Sequence, residues 1–398
     1  MRARSVQKGR WILVVAIALV LGQCGNAPPP PLPVPDSVPS VDPANVESVV
    51  FLLGDAGLAR DESSPILARL QQDVEWWSQR VENDSSVVVL VLGDNVYPVG
   101  LRPLDDPAFA SDTAVLMSQV RAVGGPASRA RGARAFFVAG NHDWGLRIHR
   151  TEFARIRAQD AFLDAVRNTT GVQAALVPEA GTGGPHVLDL GRHLRILLLD
   201  SAWWLLGGNV PEKAEVLAGI EEALSNPGGR EIMVAAHHPF TSAGPHGGQF
   251  SLWTAAGARY LLYRSGAILQ DITSDPYQAL ENGLRGIFAR HGPPLAFLGG
   301  HDHSLQVIAG VEPTDPLFSL IAGSGSKLSE LGRSRAMRFG AMAPGYMRIL
   351  IGEGGEMTLF VEAAPPEYLL CEGGEDERTA CMVEGVAAVR TTYVEQLR

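Results

Sequence analysis

Five times along this 398-residue chain an apolar run ends in glycine or alanine and is followed by an aspartate, an asparagine or a histidine. The stretches are FLLGDAG (Asp55), VLGDNVY (Asp94), FFVAGNHD (Asn141, His142, Asp143), VAAHHP (His237, His238) and FLGGHDH (His301, Asp302, His303). A short run that is apolar at nearly every position is the pattern of a strand buried on both faces. Such strands belong to α/β sheets covered by helices, in which ligands bind beyond the carboxyl ends of the strands. The glycines let the backbone turn sharply, so the next side chain faces that end. Five strands delivering Asp, Asn or His to one end make a single cluster the economical reading. In His301-Asp302-His303, alternation sends both histidines to one side.

Between the runs the periodicity turns helical. Ser64-Pro65 predicts a helix start, serine as N-cap and proline at the first helical position. Ile66, Leu67, Leu70, Val74 and Trp77 form its apolar stripe. Further helices are expected over Glu152–Arg167 and Pro211–Leu224, and a further strand over Leu194–Leu199. Tyr346–Ile351 and Met357–Val361 read as a hairpin around Gly-Glu-Gly-Gly. With 46% hydrophobic residues and no repeat or second linker, residues 47–365 read as one catalytic domain. The net charge of −10 argues against a broad nucleic-acid-binding face.

The two ends read differently. Residues 1–23 carry Arg2, Arg4, Lys8 and Arg10 before an apolar run from Trp11 to Leu21, too short to span a bilayer and suited to an export signal. Leu21-Gly22-Gln23-Cys24 resembles a bacterial lipobox, from which Gln23 departs. It implies a lipid anchor at Cys24 and a periplasmic or surface location, the outer membrane being favoured because Gly25 is not aspartate. Residues 24–46 are Pro-rich and read as an extended tether. Residues 366–398 form a C-terminal extension in which Cys371 and Cys381 are expected to pair, leaving Cys24 as the odd cysteine of three.

The ligand-type residues suit metal chemistry. Asp55, Asp94, Asn141, Tyr97 and three histidines give seven groups. Two cations sharing a bridging carboxylate need about that many and leave room for water and substrate. A mixed oxygen and nitrogen set fits Fe, Mn or Zn better than calcium.

In combination these motifs resemble the calcineurin-like metallophosphoesterases, and more narrowly the short, tartrate-resistant purple acid phosphatases. The first motif is Asp55-Ala56-Gly57 rather than the Asp-x-His of the broad superfamily, and a tyrosine follows the second, Asp94-Asn95-Val96-Tyr97. Both features are those of the purple branch. The resemblance covers roughly residues 48–362. It implies a four-layer α/β/β/α sandwich with a dinuclear site at the carboxyl ends of the strands. It also implies hydrolysis of phosphate monoesters by a hydroxide held on an Fe(III)–M(II) centre. By this resemblance Tyr97 is a phenolate ligand to Fe(III), together with Asp55 and His303, and Asp94 bridges. Asn141, His237 and His301 hold a divalent Fe, Zn or Mn. His237 is preferred to His238 because Val234-Ala235-Ala236-His237 matches the family's Val-x-x-His, though the pair stays open.

The resemblance also implies that His142 and His246 contact the phosphate or protonate the leaving oxygen, work suited to imidazole. Asp143 and Asp302 are expected to orient neighbouring imidazoles. His149, His186, His193 and His291 lie outside the motifs and read as structural or exposed. Trp203 and Trp204 read as loop packing before an aromatic wall. The substrate expected is a small phosphate ester, with no nucleic acid partner. The alternatives are a phosphodiesterase or nucleotide pyrophosphatase on the same metals, and a non-catalytic, surface-anchored metal-binding protein.

Overall fold

A computed structural model of the chain describes residues 31–145, 153–206, 208–247 and 272–398. The expected leader, Cys24, the start of the tether and His149 lie outside the described residues. The first four strands, β1 (Val46–Leu53), β2 (Val87–Leu92), β3 (Arg134–Val138) and β4 (Gln173–Leu176), run parallel side by side. The next seven form a second sheet: β5 (His186–Leu190), β6 (Leu194–Leu198), β7 (Glu231–Ala235), β8 (Ala296–Gly299), β9 (Leu305–Ala309), β10 (Phe318–Ala322) and β11 (Met337–Ala341). Their order is β11-β9-β10-β8-β7-β6-β5. The chain then returns to the first sheet through β12 (Gly345–Gly352), β13 (Met357–Ala363) and β14 (Arg390–Gln396), giving the order β14-β13-β12-β1-β2-β3-β4.

Two apolar cores follow from the period-two alternation of these strands. Val50, Leu52, Leu90 and Val138 of the first sheet face Ile196, Leu198, Met233 and Leu320 of the second. The alternate positions, Phe51, Val89 and Phe137 on one side and Leu197, Val234 and Phe297 on the other, pack beneath helices. Those helices are α1 (Pro65–Ser78), α2 (Phe109–Val120), α3 (Pro126–Ala130), α4 (Phe153–Thr170), α5 (Ser201–Leu206), α6 (Val210–Ser225), α7 (Asp275–His291) and α8 (Glu375–Ala388). The layers are helix, sheet, sheet, helix. Ser64 caps α1 as its position predicts, its hydroxyl accepting the Leu67 amide at 3.2 Å. Asn209 and Glu212 close a reciprocal capping box that starts α6 one residue before the expected Pro211.

The segment 366–398 is knit into this body. Cys371 and Cys381 form a disulfide, α8 packs on α1, and β14 adds a strand to the edge of the first sheet beside β13. Of the Pro-rich segment, residues 31–42 carry no helix or strand, and Leu32 packs against the core between the sheets. Among the described residues no helix is long and apolar enough to cross a membrane.

Candidate metal centre

Asp55 and Asp94 sit just past the ends of β1 and β2, Asn141 past β3, His237 and His238 past β7, and His301 past β8. The three strands are neighbours in one sheet and the two are neighbours in the other, so the five ends meet at one edge of the sandwich. The turns are tight. Asp55, Asp94 and His301 have φ of 58°, 55° and 68°, and the one other non-glycine residue described in that region is Ser85. A side chain in the left-handed region costs roughly 1–3 kcal/mol and persists where the surroundings enforce it. Two glycines show how close the strand ends lie. A Cβ on Gly93 would sit 2.5 Å from His237 Nδ1, and one on Gly140 would sit 2.2 Å from Asp94 Oδ1.

One half of the centre is rich in oxygen. Tyr97 Oη donates to Asp55 Oδ1 at 2.9 Å and lies 3.3 Å from His303 Nε2, which is itself 3.4 Å from Asp55 Oδ1. Asp55, Asp94 and His303 each offer a ligand atom within 4.8 Å of the others. Burial, and then the charges of Asp55 and Asp94, push the Tyr97 phenol well above its ordinary range.

The other half is built on imidazoles. His237 Nδ1 donates to the Leu92 carbonyl at 2.8 Å, which leaves Nε2 facing inward. That atom lies 3.0 Å from Asn141 Oδ1, 3.2 Å from His301 Nδ1 and 3.4 Å from Asp94 Oδ1. The His238 ring lies 4.3 Å from that of His301, and its nitrogens also fall within 4.8 Å of those of His237 and His301. Its Nδ1 is engaged by the Ser201 hydroxyl at 2.8 Å. Asp94 touches both halves. Burial alone would raise its carboxyl, but His237, His142 and the His142 amide hold it below the usual carboxylate range.

His142 donates its amide to Asp94 Oδ1 at 3.0 Å, and its Nδ1 meets the Pro98 carbonyl at 2.6 Å. Its ring stands edge-on to Tyr97, centroids 4.5 Å apart. The His246 ring lies 4.0 Å from that of His301. Both histidines therefore border the centre, one on each half.

Asp143 and Asp302 also hold the backbone of the turns. Asp143 accepts the amides of Asn95, Val96 and Gly140 and the Asn95 side chain, so it ties the β2 turn to the β3 turn. Asp302 accepts the His246 amide at 3.1 Å and the Ser242 hydroxyl. The charges of His246 and His303 also act on the Asp302 carboxylate, and that of His237 on Asp143. Sharp turns expose several N–H groups at once, and a buried carboxylate satisfies them better than a ring would.

Trp203 and Trp204 are buried, Trp204 donating to the Pro276 carbonyl at 3.0 Å, so they pack the body. A cation that carried no sequence signal joins the centre: Lys327 Nζ lies 3.2 Å from the centroid of the Tyr97 ring.

The residues fit bound cations. Several buried donor atoms converge here, and one of them is left without a partner among the described residues. Burial and the neighbouring histidines His246, His238, His237 and His303 drive His301 well below the ordinary histidine range, and its Nε2 makes no hydrogen bond among the described residues. Two inward nitrogens 3.2 Å apart, beside a carboxylate and an amide oxygen, form a donor set for one ion. Asp55, Tyr97 and His303 form a second, harder set.

No family model and no curated protein matches this chain. Among solved structures it is similar to GAP50, the anchor in the inner membrane complex of Plasmodium, at 15% identity and TM-score 0.50, covering 87% of this chain and 96% of that one. It is similar also to the purple acid phosphatase PPD1 from yellow lupin (Lupinus luteus) seeds, at 13% identity and TM-score 0.50, covering 79% of this chain and 51% of that one. The match thus spans about half the length of the lupin chain. At such identities the likeness speaks for architecture alone: an α/β sandwich of two seven-stranded sheets between helices.

Proposed function

We propose that this protein is a phosphatase that hydrolyses phosphate monoesters with two metal ions. In this reading Asp55, Tyr97 and His303 hold Fe(III). Asn141, His237 and His301 hold a divalent Fe, Zn or Mn, and Asp94 joins the two. The observation that carries it is the convergence of Tyr97 Oη, Asp55 Oδ1 and His303 Nε2 within 3.4 Å of one another, beside the His237, Asn141 and His301 group. A phenol beside two carboxylates and an imidazole offers a hard oxygen that a strongly charged cation would deprotonate and bind. Bound there, the ions would act as Lewis acids and activate a water at neutral pH.

The chain's own part is to bind and to move a proton. His142 and His246 border opposite halves, each steadied through its backbone amide, by Asp94 and by Asp302. Either imidazole suits protonation of the leaving oxygen.

The test is the visible spectrum of the purified protein beside its metal content. A purple or pink band with near-stoichiometric iron, lost in Tyr97→Phe, supports the reading. A colourless, active protein holding two zinc or manganese ions would mean that Tyr97 is not bound to iron and would move a diesterase or nucleotidase on the same fold up. A second reading has one observation behind it: GAP50 is an anchor, and this chain matches it over most of both lengths. Stoichiometric metal without turnover of any phosphate ester would favour that reading. Export and lipidation at Cys24 belong to the proposal as well. Labelled palmitate that enters the wild-type protein and not Cys24→Ser is the expected result.

A further inference from the structure

The segment after β10, GSGSKLSELG over residues 323–332, belongs to none of the five motifs, yet it is bolted to the centre at two places. The Ser326 hydroxyl donates to the Asp55 carbonyl at 2.6 Å and accepts the Leu58 amide at 3.1 Å. The Gly325 amide donates to the Gly54 carbonyl at 3.0 Å. Three residues on, the Ser329 hydroxyl accepts the His303 amide at 3.1 Å and the Ser329 amide donates to the His303 carbonyl at 2.9 Å. The loop is therefore fixed to the backbone of Asp55 and of His303. Lys327 lies between the two fixings.

Its half-buried ammonium stands over the Tyr97 ring and makes neither a hydrogen bond nor an ion pair with any described residue. The nearby carboxylates are already engaged. Asp55 accepts from Tyr97 and from the His301 amide, and Asp94 from the His142 amide. An ammonium with three donors is thus held beside the centre, open on one side to solvent, with no acceptor from any described residue. A phosphoryl group brings several acceptor oxygens and negative charge to this place.

Resting on the phosphatase reading above, we infer that Lys327 is a phosphate-binding residue that favours dianionic monoesters over monoanionic diesters. A fixed cation beside the phosphoryl oxygens gains more from two charges than from one.

The experiment compares metal-loaded wild type with Lys327→Met and Lys327→Arg. Inorganic phosphate is titrated by calorimetry, and kcat/KM is measured on 4-nitrophenyl phosphate and on bis(4-nitrophenyl) phosphate. Metal content and circular dichroism are matched across the three proteins. In Lys327→Met, phosphate affinity and monoester kcat/KM should each fall about tenfold, while the diester changes by no more than about twofold. Lys327→Arg should restore both to within about threefold of wild type. Unchanged phosphate affinity in Lys327→Met, or an equal loss on both esters, would overturn the inference. Should wild type hydrolyse neither ester, the phosphatase reading fails by itself. The phosphate titration then still decides the role of Lys327: a tenfold loss supports it and no change ends it.

Discussion

The two halves of the centre are made by the same device and come out chemically unlike. Each takes its side chains from turns just past buried strands. The half around Tyr97 gathers a phenol and a carboxylate about a single imidazole. The half around His237 gathers two imidazole nitrogens and an amide oxygen. The difference comes down to where the tyrosine falls. Its amide donates to the Gly57 carbonyl at 3.1 Å, which turns the phenol toward Asp55 rather than into the apolar core. Neighbouring strand ends can therefore present a hard, anionic set and a softer, neutral one a few ångströms apart, a division suited to two different ions.

The most damaging way to break this comparison is Asp94→Ala, because Asp94 touches both halves. The variant should lose both metals and on the order of a thousandfold or more in kcat/KM, with its circular dichroism unchanged. Retention of full activity would remove the centre from the mechanism altogether. A finer cut sets His301→Ala against Tyr97→Phe. The first should lose one metal of two by elemental analysis. The second should keep two metals and lose the visible band, with activity reduced about 10- to 100-fold. Identical metal losses in both would mean that the halves are one pocket.

Asp200 sharpens the picture behind the imidazole half. It is buried at the start of α5, where it accepts the Trp144 indole N–H and the Trp203 amide. Burial lifts its carboxyl to about 7 against the pull of those donors. The unfolded chain sheds this proton near pH ~4 and the folded chain keeps it, so the contribution of Asp200 to stability falls as pH rises from about 4 to about 7 and is level beyond. Asp200→Asn should remove that contribution, leaving the one from Asp143, which is lifted to about 7 as well. With chelator present, its stability relative to wild type should grow by roughly 3 kcal/mol across the window. Parallel pH profiles would show that Asp200 is ionised throughout. The smallest effect serves as a control away from both halves. Cys371→Ser opens a short loop and should lower stability by about 2–3 kcal/mol while leaving metal content and band untouched.

What the sequence made legible was the part of the molecule where burial dictates residue type. Strands buried on both faces have to be continuous apolar runs, so β1, β2, β3, β7 and β8 stand out, and with them every residue that ends one. Strands such as β5 and β11, with alternating or partial burial, spell no such run and were missed. So were α2 and α3, which occupy a stretch that reads as loop, and β14, whose charged residues suit an edge strand. The same limit holds within the centre. Residue types named the donors, but which of two adjacent histidines faces Asn141 depends on the Leu92 carbonyl, 145 residues earlier. Lys327 is placed by two serines whose partners lie far along the chain, and no local pattern encodes that.

The return of the chain to its first sheet sets an order of events. Among the described strands β1 is made first and its neighbour β12 is among the last, Val50 lying opposite Ile349 across the pair. Until that partner arrives, the strand that presents Asp55 has one open edge. His301 and His303 also emerge late from the ribosome. A nascent chain thus holds half a donor set for most of its synthesis and can complete neither pocket. Ions held by the proposed centre would enter only after His301 and His303 are in place, and so would reflect the metal pool of the place where folding finishes rather than the place where translation begins.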